Sequence, residues 1–142
     1  MSWTLLREGL AARIATIDGL VVHEVAKDTY PDRNVAVVLP GEPLSEPTGH
    51  RGKVGYNTRV VVMCSRTDAK DAQRAVDEFI EFSGTKSVIS AVTASKATGK
   101  LPVDGVAQAD DTRWVRTVAY GPSADVEKRW QADLHFYSMV TA

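Results

Sequence analysis

The side chains of this 142-residue chain that could perform chemistry are scattered, and the most suggestive local pattern is Thr-Gly-His-Arg-Gly-Lys at residues 48–53. Glycines followed by a lysine can hold a phosphate group on backbone N–H groups. The spacing of a phosphate-binding P-loop is not met, because Pro47 stands where its first glycine is required and Val54 follows Lys53 where serine or threonine is required. The pattern therefore predicts a flexible basic segment and not a nucleotide site.

Metal and catalytic motifs are the next possibility. His23, His50 and His135 lie far apart, and none belongs to a zinc-ligand spacing such as H-x-x-x-H. The aspartates at positions 104, 110, 111 and 133 fall in a polar chain segment that is more simply a solvated connection. No G-x-S-x-G, C-x-x-C, G-x-G-x-x-G or H-E-x-x-H pattern occurs. We therefore expect no catalytic residue, no metal site and no cofactor, and a protein that is not an enzyme.

The single cysteine, Cys64, ends a run of apolar residues, which predicts an inert core thiol instead of a nucleophile. Five aromatic residues cluster near the carboxyl end, and most of them are expected in the core, although aromatic side chains also anchor interfaces. They are Trp114, Tyr120, Trp130, Phe136 and Tyr137.

The elements that must position these residues are clearest in residues 56–84. Residues 60–64 are apolar at both parities of a strand, which predicts a central strand covered on both faces. An amphipathic helix follows, begun by Thr67 or Asp68 and ended by Gly84. A shorter helix is predicted from Ser87 to about residue 97.

The flanking segments complete the predicted fold. A first helix carries an apolar stripe and ends at Gly19, with Arg7 and Arg13 on its exposed side. Strands are predicted at residues 20–25, 34–39, 103–109, 114–120 and 130–137, with a turn at residues 121–125. The sequence thus predicts one α+β domain over residues 1–142: a single mixed, largely antiparallel sheet with helices packed mainly on one face. Residues 44–55, rich in glycine and proline, are predicted to form an exposed loop.

Composition limits the partners. The formal net charge is -1, from 17 basic and 18 acidic residues, so no global field favours nucleic acid or an anionic membrane. No apolar run approaches the roughly 20 residues of a membrane span, and the amino-terminal residues do not form a secretory signal. We expect a soluble protein made in the cytoplasm.

The order and spacing of several segments resemble the tail terminator proteins of long-tailed, non-contractile bacteriophages. The segments are Asp-Gly-Leu at 18–20, Val-Val-Leu-Pro-Gly-Glu-Pro at 37–43, the strand at 58–64, the helix at 72–80, Gly84, and Ser-Val-Ile-Ser-Ala-Val at 87–92. Together they span most of the chain.

This resemblance implies a structural virion protein at the head-proximal end of the tail, made in the host cytoplasm. It would form a hexameric ring that caps the tail tube, stops tube polymerisation and presents the surface that joins the head. The implied partners are further copies of itself, the major tail tube protein, a head–tail connector protein and passing DNA.

The family supplies no residue-level motif, so contact residues are hypotheses from the sequence. The candidate tube or connector loop contains Glu46, His50, Arg51 and Lys53. The candidate subunit or tube contacts are Asp125, Glu127, Lys128 and Arg129, and the candidate lumen-facing residues are Arg7 and Arg13. Two alternatives remain open: a phage head-completion or connector protein, and a dimeric regulatory domain whose terminal-strand aromatics line a small-molecule pocket.

Overall fold

The computed structural model describes residues 3–23, 33–49, 52–66, 68–98, 112–122 and 129–141. The elements in chain order are α1 (Trp3–Ile14), β1 (Val21–His23), β2 (Asn34–Pro47), β3 (Lys53–Cys64), α2 (Ala69–Ile80), α3 (Val88–Thr98), β4 (Arg113–Pro122) and β5 (Trp130–Thr141). The strand predicted at residues 103–109 lies outside the described residues. None of the described helices is long and apolar enough to cross a membrane.

The strands form one mixed sheet in the order β1-β2-β3-β5-β4. Among the strands that the structure describes, the β1–β2 pair is parallel and the other three pairs are antiparallel. The predicted α+β fold with a largely antiparallel sheet is therefore confirmed. The strand β3 occupies the middle position, as its unbroken apolar run predicts.

The helices pack on one face of this sheet, which we call the helix face. Val60, Val62 and Cys64 of β3 point to it and are fully buried. Helix α1 contributes an apolar stripe at three- and four-residue steps, as an amphipathic helix does. The same cluster contains Leu6, Leu10 and Ile14 of α1, Val76 and Phe79 of α2, and Val88, Ile89 and Val92 of α3.

The opposite side of the sheet, which we call the second face, carries a smaller apolar cluster. Val35 and Val37 of β2 pack there with Val61 and Met63 of β3, and the half-buried Leu39 adjoins them. The two parities of β3 are thus both apolar because each contributes to a buried cluster. Only strand residues belong to this second cluster among the described residues.

Local signals in the sequence explain where the helices begin and end. The Asp68 carboxylate accepts from the backbone N–H of Lys70 at 3.1 Å and caps α2. The hydroxyl of Ser87 caps α3 by accepting from the backbone N–H of Ser90 at 3.0 Å. Helix α2 stops at Ile80, earlier than predicted, and Gly84 lies in the turn beyond it with φ +114°.

The prediction of an exposed loop over residues 44–55 is wrong in most of its length. Ser45, Glu46 and Pro47 of β2 pair with Tyr56, Gly55 and Val54 of β3, so a β-hairpin occupies this region. Strand β5 extends the hairpin on its other side, because Gly55 also pairs with Met139. Prolines and glycines suggested a loop, but backbone pairing with β3 outweighs their low strand propensity.

Strand β2 can continue into this hairpin because one irregularity absorbs its extra residues. Between the pairs Pro40↔Thr58 and Ser45↔Tyr56, four residues of β2 oppose the single residue Asn57. The Asn57 amide donates to the carbonyl of Pro43 at 2.8 Å and to the Glu46 carboxylate at 3.3 Å. These bonds hold the irregular segment against β3.

Candidate functional site

The structure separates the two arginines predicted to face a lumen. Arg13 is buried, with 6% of its surface exposed, and its guanidinium donates to the carbonyl oxygen of Val92 at 2.9 Å. The prediction that Arg13 lies on the exposed side of α1 is therefore wrong, because that side of the helix packs against α3. Arg7 is half-buried on the same helix.

The residues of the predicted contact loop do not form one described group. Glu46 lies within β2 and is half-buried, and its carboxylate accepts from Asn57. Lys53 begins β3, where its backbone pairs with that of Thr141. His50 and Arg51 lie outside the described residues. We use the name hairpin tip for residues 48–53, the part of the chain between Pro47 and Val54, which form the last pair of β2 and β3.

The second group of predicted contacts is largely outside the described residues. Asp125, Glu127 and Lys128 fall in that part of the chain, and so does most of the turn predicted at residues 121–125. Gly121 and Pro122 belong to β4 instead. Arg129 is only 3% exposed, so the prediction that it offers a contact surface is wrong in the free chain.

The structure instead brings together a charged cluster on the second face that the sequence did not predict. An Arg59 guanidinium nitrogen of β3 lies 3.2 Å from a carboxylate oxygen of the buried Asp133 of β5. His135 follows on the same face and pairs with Arg116 of β4. The alternating sequence of β5 predicted that Asp133 and His135 share a face. The register of β5 with β3 and β4 shows that Arg59 and Arg116 lie beside them.

The electrostatics of this charged cluster oppose ionisation. Burial raises the pKa of Asp133, and the positive charges of Arg59 and His135 partly reverse that rise. Burial lowers the pKa of His135, and Asp133 opposes this shift while Arg116 and Arg59 reinforce it. A neutral His135 between two arginines is the expected state near neutral pH.

A shallow depression of about 120 Å³ lies beside this cluster. Its lining residues are Glu42, Asn57, Val115, Arg116, His135 and Phe136. The volume is well below the roughly 300–1,000 Å³ of typical small-molecule sites. It suits a single side chain of a partner better than a cofactor.

The carboxyl-terminal aromatics are mostly part of the core, as predicted. Phe136 is fully buried, and Trp114 and Trp130 pack against the main apolar cluster. Tyr120 is exposed, and its hydroxyl donates to the Asp77 carboxylate at 2.7 Å. Desolvation and this hydrogen bond raise the pKa of Tyr120.

Several exposed apolar side chains lie on or beside β4. Phe82, which follows α2, is 66% exposed and meets the Trp114 ring edge to face at 5.0 Å between centroids. Val115 and Val118 of β4 are also exposed. Phe82 lies beside Trp114 on the helix face, whereas Val118 pairs with Asp133 and lies on the second face, so exposed apolar side chains flank β4 on both sides of the sheet.

The thiol of Cys64 is part of the packed core, as the sequence predicts. Cys64 is buried in the core, and burial raises the pKa of its thiol to about 11, so the thiol stays protonated at neutral pH. No group of three or more His, Cys, Asp or Glu side chains in the described ranges is placed to hold a metal ion. The chain matches no protein-family model and no curated protein.

Proposed function

We propose that this chain is a structural subunit of a bacteriophage tail terminator, which assembles as a ring on the end of the tail tube, stops tube growth and presents the head-joining surface. The proposal rests on the order and spacing of segments that resemble that family. Its partners are then further copies of the chain, the tail tube protein, a connector protein and passing DNA. It carries no catalytic role, and its place is the head-proximal end of the virion tail.

The observation that carries the proposal is the arrangement of the segments on which the resemblance depends. Helix α1 is followed by Gly19 with φ +81°, β2 runs through Pro40 to Pro43, and β3 enters α2 after a short connection. All of these elements build one sheet with its helices on one side. A continuous sheet of this kind, with exposed apolar side chains at its edges, supports a role in assembly.

A phage head-completion or connector protein is the second candidate, since such proteins share this size and α+β character. The small-molecule alternative is less favoured, because Trp114 and Trp130 pack into the core and the depression beside His135 is small.

A phage whose copy of this gene carries an early stop codon separates the two candidates. The proposal predicts overlong tail tubes that are not joined to heads, and normal tails once the intact chain is supplied from a plasmid. Tails of normal length beside defective heads would contradict it and favour the head-completion alternative.

A further inference from the structure

The two edge strands are the ends of the sheet that are open to pairing. The strand order places β1 at one end and β4 at the other. Within the described residues, neither strand pairs with another on its outer side. An edge strand presents a row of backbone N–H and C=O groups that a strand from another chain can satisfy.

Exposed apolar side chains are concentrated at these two edges. In the part of the chain that the structure describes, the exposed large apolar residues are Val21, Phe82, Val115, Val118 and Tyr120. Val21 lies on β1, three of the others lie on β4, and Phe82 touches Trp114 of β4. A partner strand at either end would remove apolar surface from water and so stabilise the pairing.

The exposed valines of the two edges also point to the same side of the sheet. Val21 pairs with Val35, which belongs to the apolar cluster of the second face. Val118 pairs with Asp133, which pairs in turn with Val61 of the same cluster. Directly paired residues share a face, so Val21 and Val118 both lie on the second face. Their exposed fractions are 41% and 40%.

The strand directions are compatible with pairing between copies. Strand β1 runs parallel to β2, and β4 runs opposite to β1 because three antiparallel pairs separate β4 from β2. Two copies placed side by side in the same orientation therefore bring β4 of one beside β1 of the next in an antiparallel arrangement. Antiparallel pairing is slightly more stable per residue than parallel pairing.

We propose that copies of this chain join edge to edge, with β4 of one copy hydrogen-bonded to β1 of the next and Val118 packed against Val21 of that neighbour. This interface rests on the ring proposed above and identifies the surfaces that would close it. The regular stretch of β4 between its two irregularities is residues 116–118, which matches the three residues of β1 in length.

Charge argues against the competing arrangement in which two β4 strands meet. Arg113 and Arg116 are exposed on β4, and that strand contains no acidic residue. Like charges on facing strands are destabilising. Strand β1 contains no arginine or lysine, and the exposed Asp18 precedes it. Pairing of unlike edges continues from copy to copy and can close a ring, whereas pairing of like edges stops at a dimer.

Disulfide cross-linking between two variants tests the interface directly. Purified Val21→Cys and Val118→Cys proteins are mixed, concentrated and oxidised, and the products are measured by mass spectrometry. A bond between positions 21 and 118 within one chain is excluded, because neither variant carries both cysteines. We expect covalent dimers that contain one chain of each variant.

Three controls make every outcome decisive. Glu8→Cys, on the exposed surface of α1, replaces Val21→Cys in a matched mixture and should give no such dimer. Covalent dimers formed by the Val118→Cys protein alone would show that two β4 edges meet, and would overturn the proposal. The absence of mixed dimers would also overturn it. In the unmodified protein, the backbone amides of residues 116–118 should exchange more slowly with solvent after assembly, and unchanged exchange would also contradict it.

The interface and the proposed function fail in different ways. Mixed dimers in a protein that never caps a tail tube would support the interface and contradict the proposed function. Rings on tail tubes without a disulfide bond between positions 21 and 118 would support the proposed function and contradict this interface.

Discussion

Arg13 joins the first and third helices through one buried contact. Its guanidinium donates to the Val92 carbonyl, and almost all of the side chain is shielded from water. A hydrogen bond from a charged donor contributes roughly 1.5–3 kcal/mol to stability. We therefore predict that Arg13→Ala lowers the free energy of unfolding by about 2 kcal/mol, measured by urea denaturation.

The matched control for this prediction is Glu8→Ala on the exposed side of the same helix, which should change the free energy of unfolding by less than about 0.5 kcal/mol. Equal effects of the two substitutions would contradict the role assigned to Arg13 in packing.

Asp133 gives the charged cluster a pH dependence of known sign. Its folded-state pKa is raised above the ordinary value of 3.8, so the folded protein binds this proton more tightly than the unfolded chain. The stability from this group is fully present below pH 3.8 and is lost as the pH rises through the folded-state pKa. We predict that acidification from neutral pH stabilises the wild-type protein relative to Asp133→Asn, measured by denaturation over a pH series.

His135→Gln is the companion variant, because His135 has the opposite shift. Its folded-state pKa lies below the ordinary value of 6.5, so its contribution is present above pH 6.5 and is lost as the pH falls through the folded-state pKa. Acidification should therefore destabilise the wild-type protein relative to His135→Gln. The same trend for both variants would show that at least one of the two pKa directions is misassigned.

At the scale of elements, β3 and β5 are in close contact at Gly55, within the hairpin of β2 and β3. A Cβ atom added to Gly55 would overlap the ring of Tyr137, and the centroid of this ring lies 5.2 Å from the Arg113 guanidinium carbon. Overpacking of this kind costs about 1–3 kcal/mol. We predict that Gly55→Ala destabilises the protein by that amount in urea denaturation and by clearly less in a Tyr137→Ala background. An equal cost in both backgrounds would contradict the assigned clash.

The hairpin tip is separable from the fold. Pro47 and Val54 form the last pair of β2 and β3, so Asn-Gly in place of residues 48–53 can close the hairpin with a two-residue turn. We predict an unfolding free energy within about 0.5 kcal/mol of the wild-type value and reduced binding to tail tubes in a co-sedimentation assay.

A Gly/Ser segment of the original length, without His50, Arg51 and Lys53, shows whether length or charge matters at the tip. Unchanged tube binding by both variants would contradict the prediction that the hairpin tip contacts the tail tube.

The sequence predicted those elements whose signals are local. The unbroken apolar run of β3 indicated a central strand, and Asp68 and Ser87 marked the starts of two helices. The hairpin was missed because its stability comes from pairing with β3 and from the Asn57 bonds to Pro43 and Glu46, which connect distant parts of the chain.

The same limit applies to the candidate surfaces. The helical periodicity of α1 places Arg13 on one side of the helix but does not show what packs against that side. The contact with Val92 of α3 shows that Arg13 is buried. The pairing of Arg59 with Asp133 depends on the register of β3 with β5, which the strand patterns alone do not define.

At the scale of the whole molecule, the exposed apolar side chains at opposite ends of one sheet favour association between unlike surfaces. Val21 lies at one end and Val118 at the other, on the same face. Contacts between unlike surfaces repeat from copy to copy and end only when a ring closes. This geometry is consistent with a cap on a cylindrical tube.

Electron microscopy of the purified chain mixed with a phage tail tube protein tests the proposed function most directly. We predict rings on one end of each tube and tubes that stop growing once the rings are bound. A chain that remains strictly monomeric or dimeric and leaves tube ends bare would contradict the account.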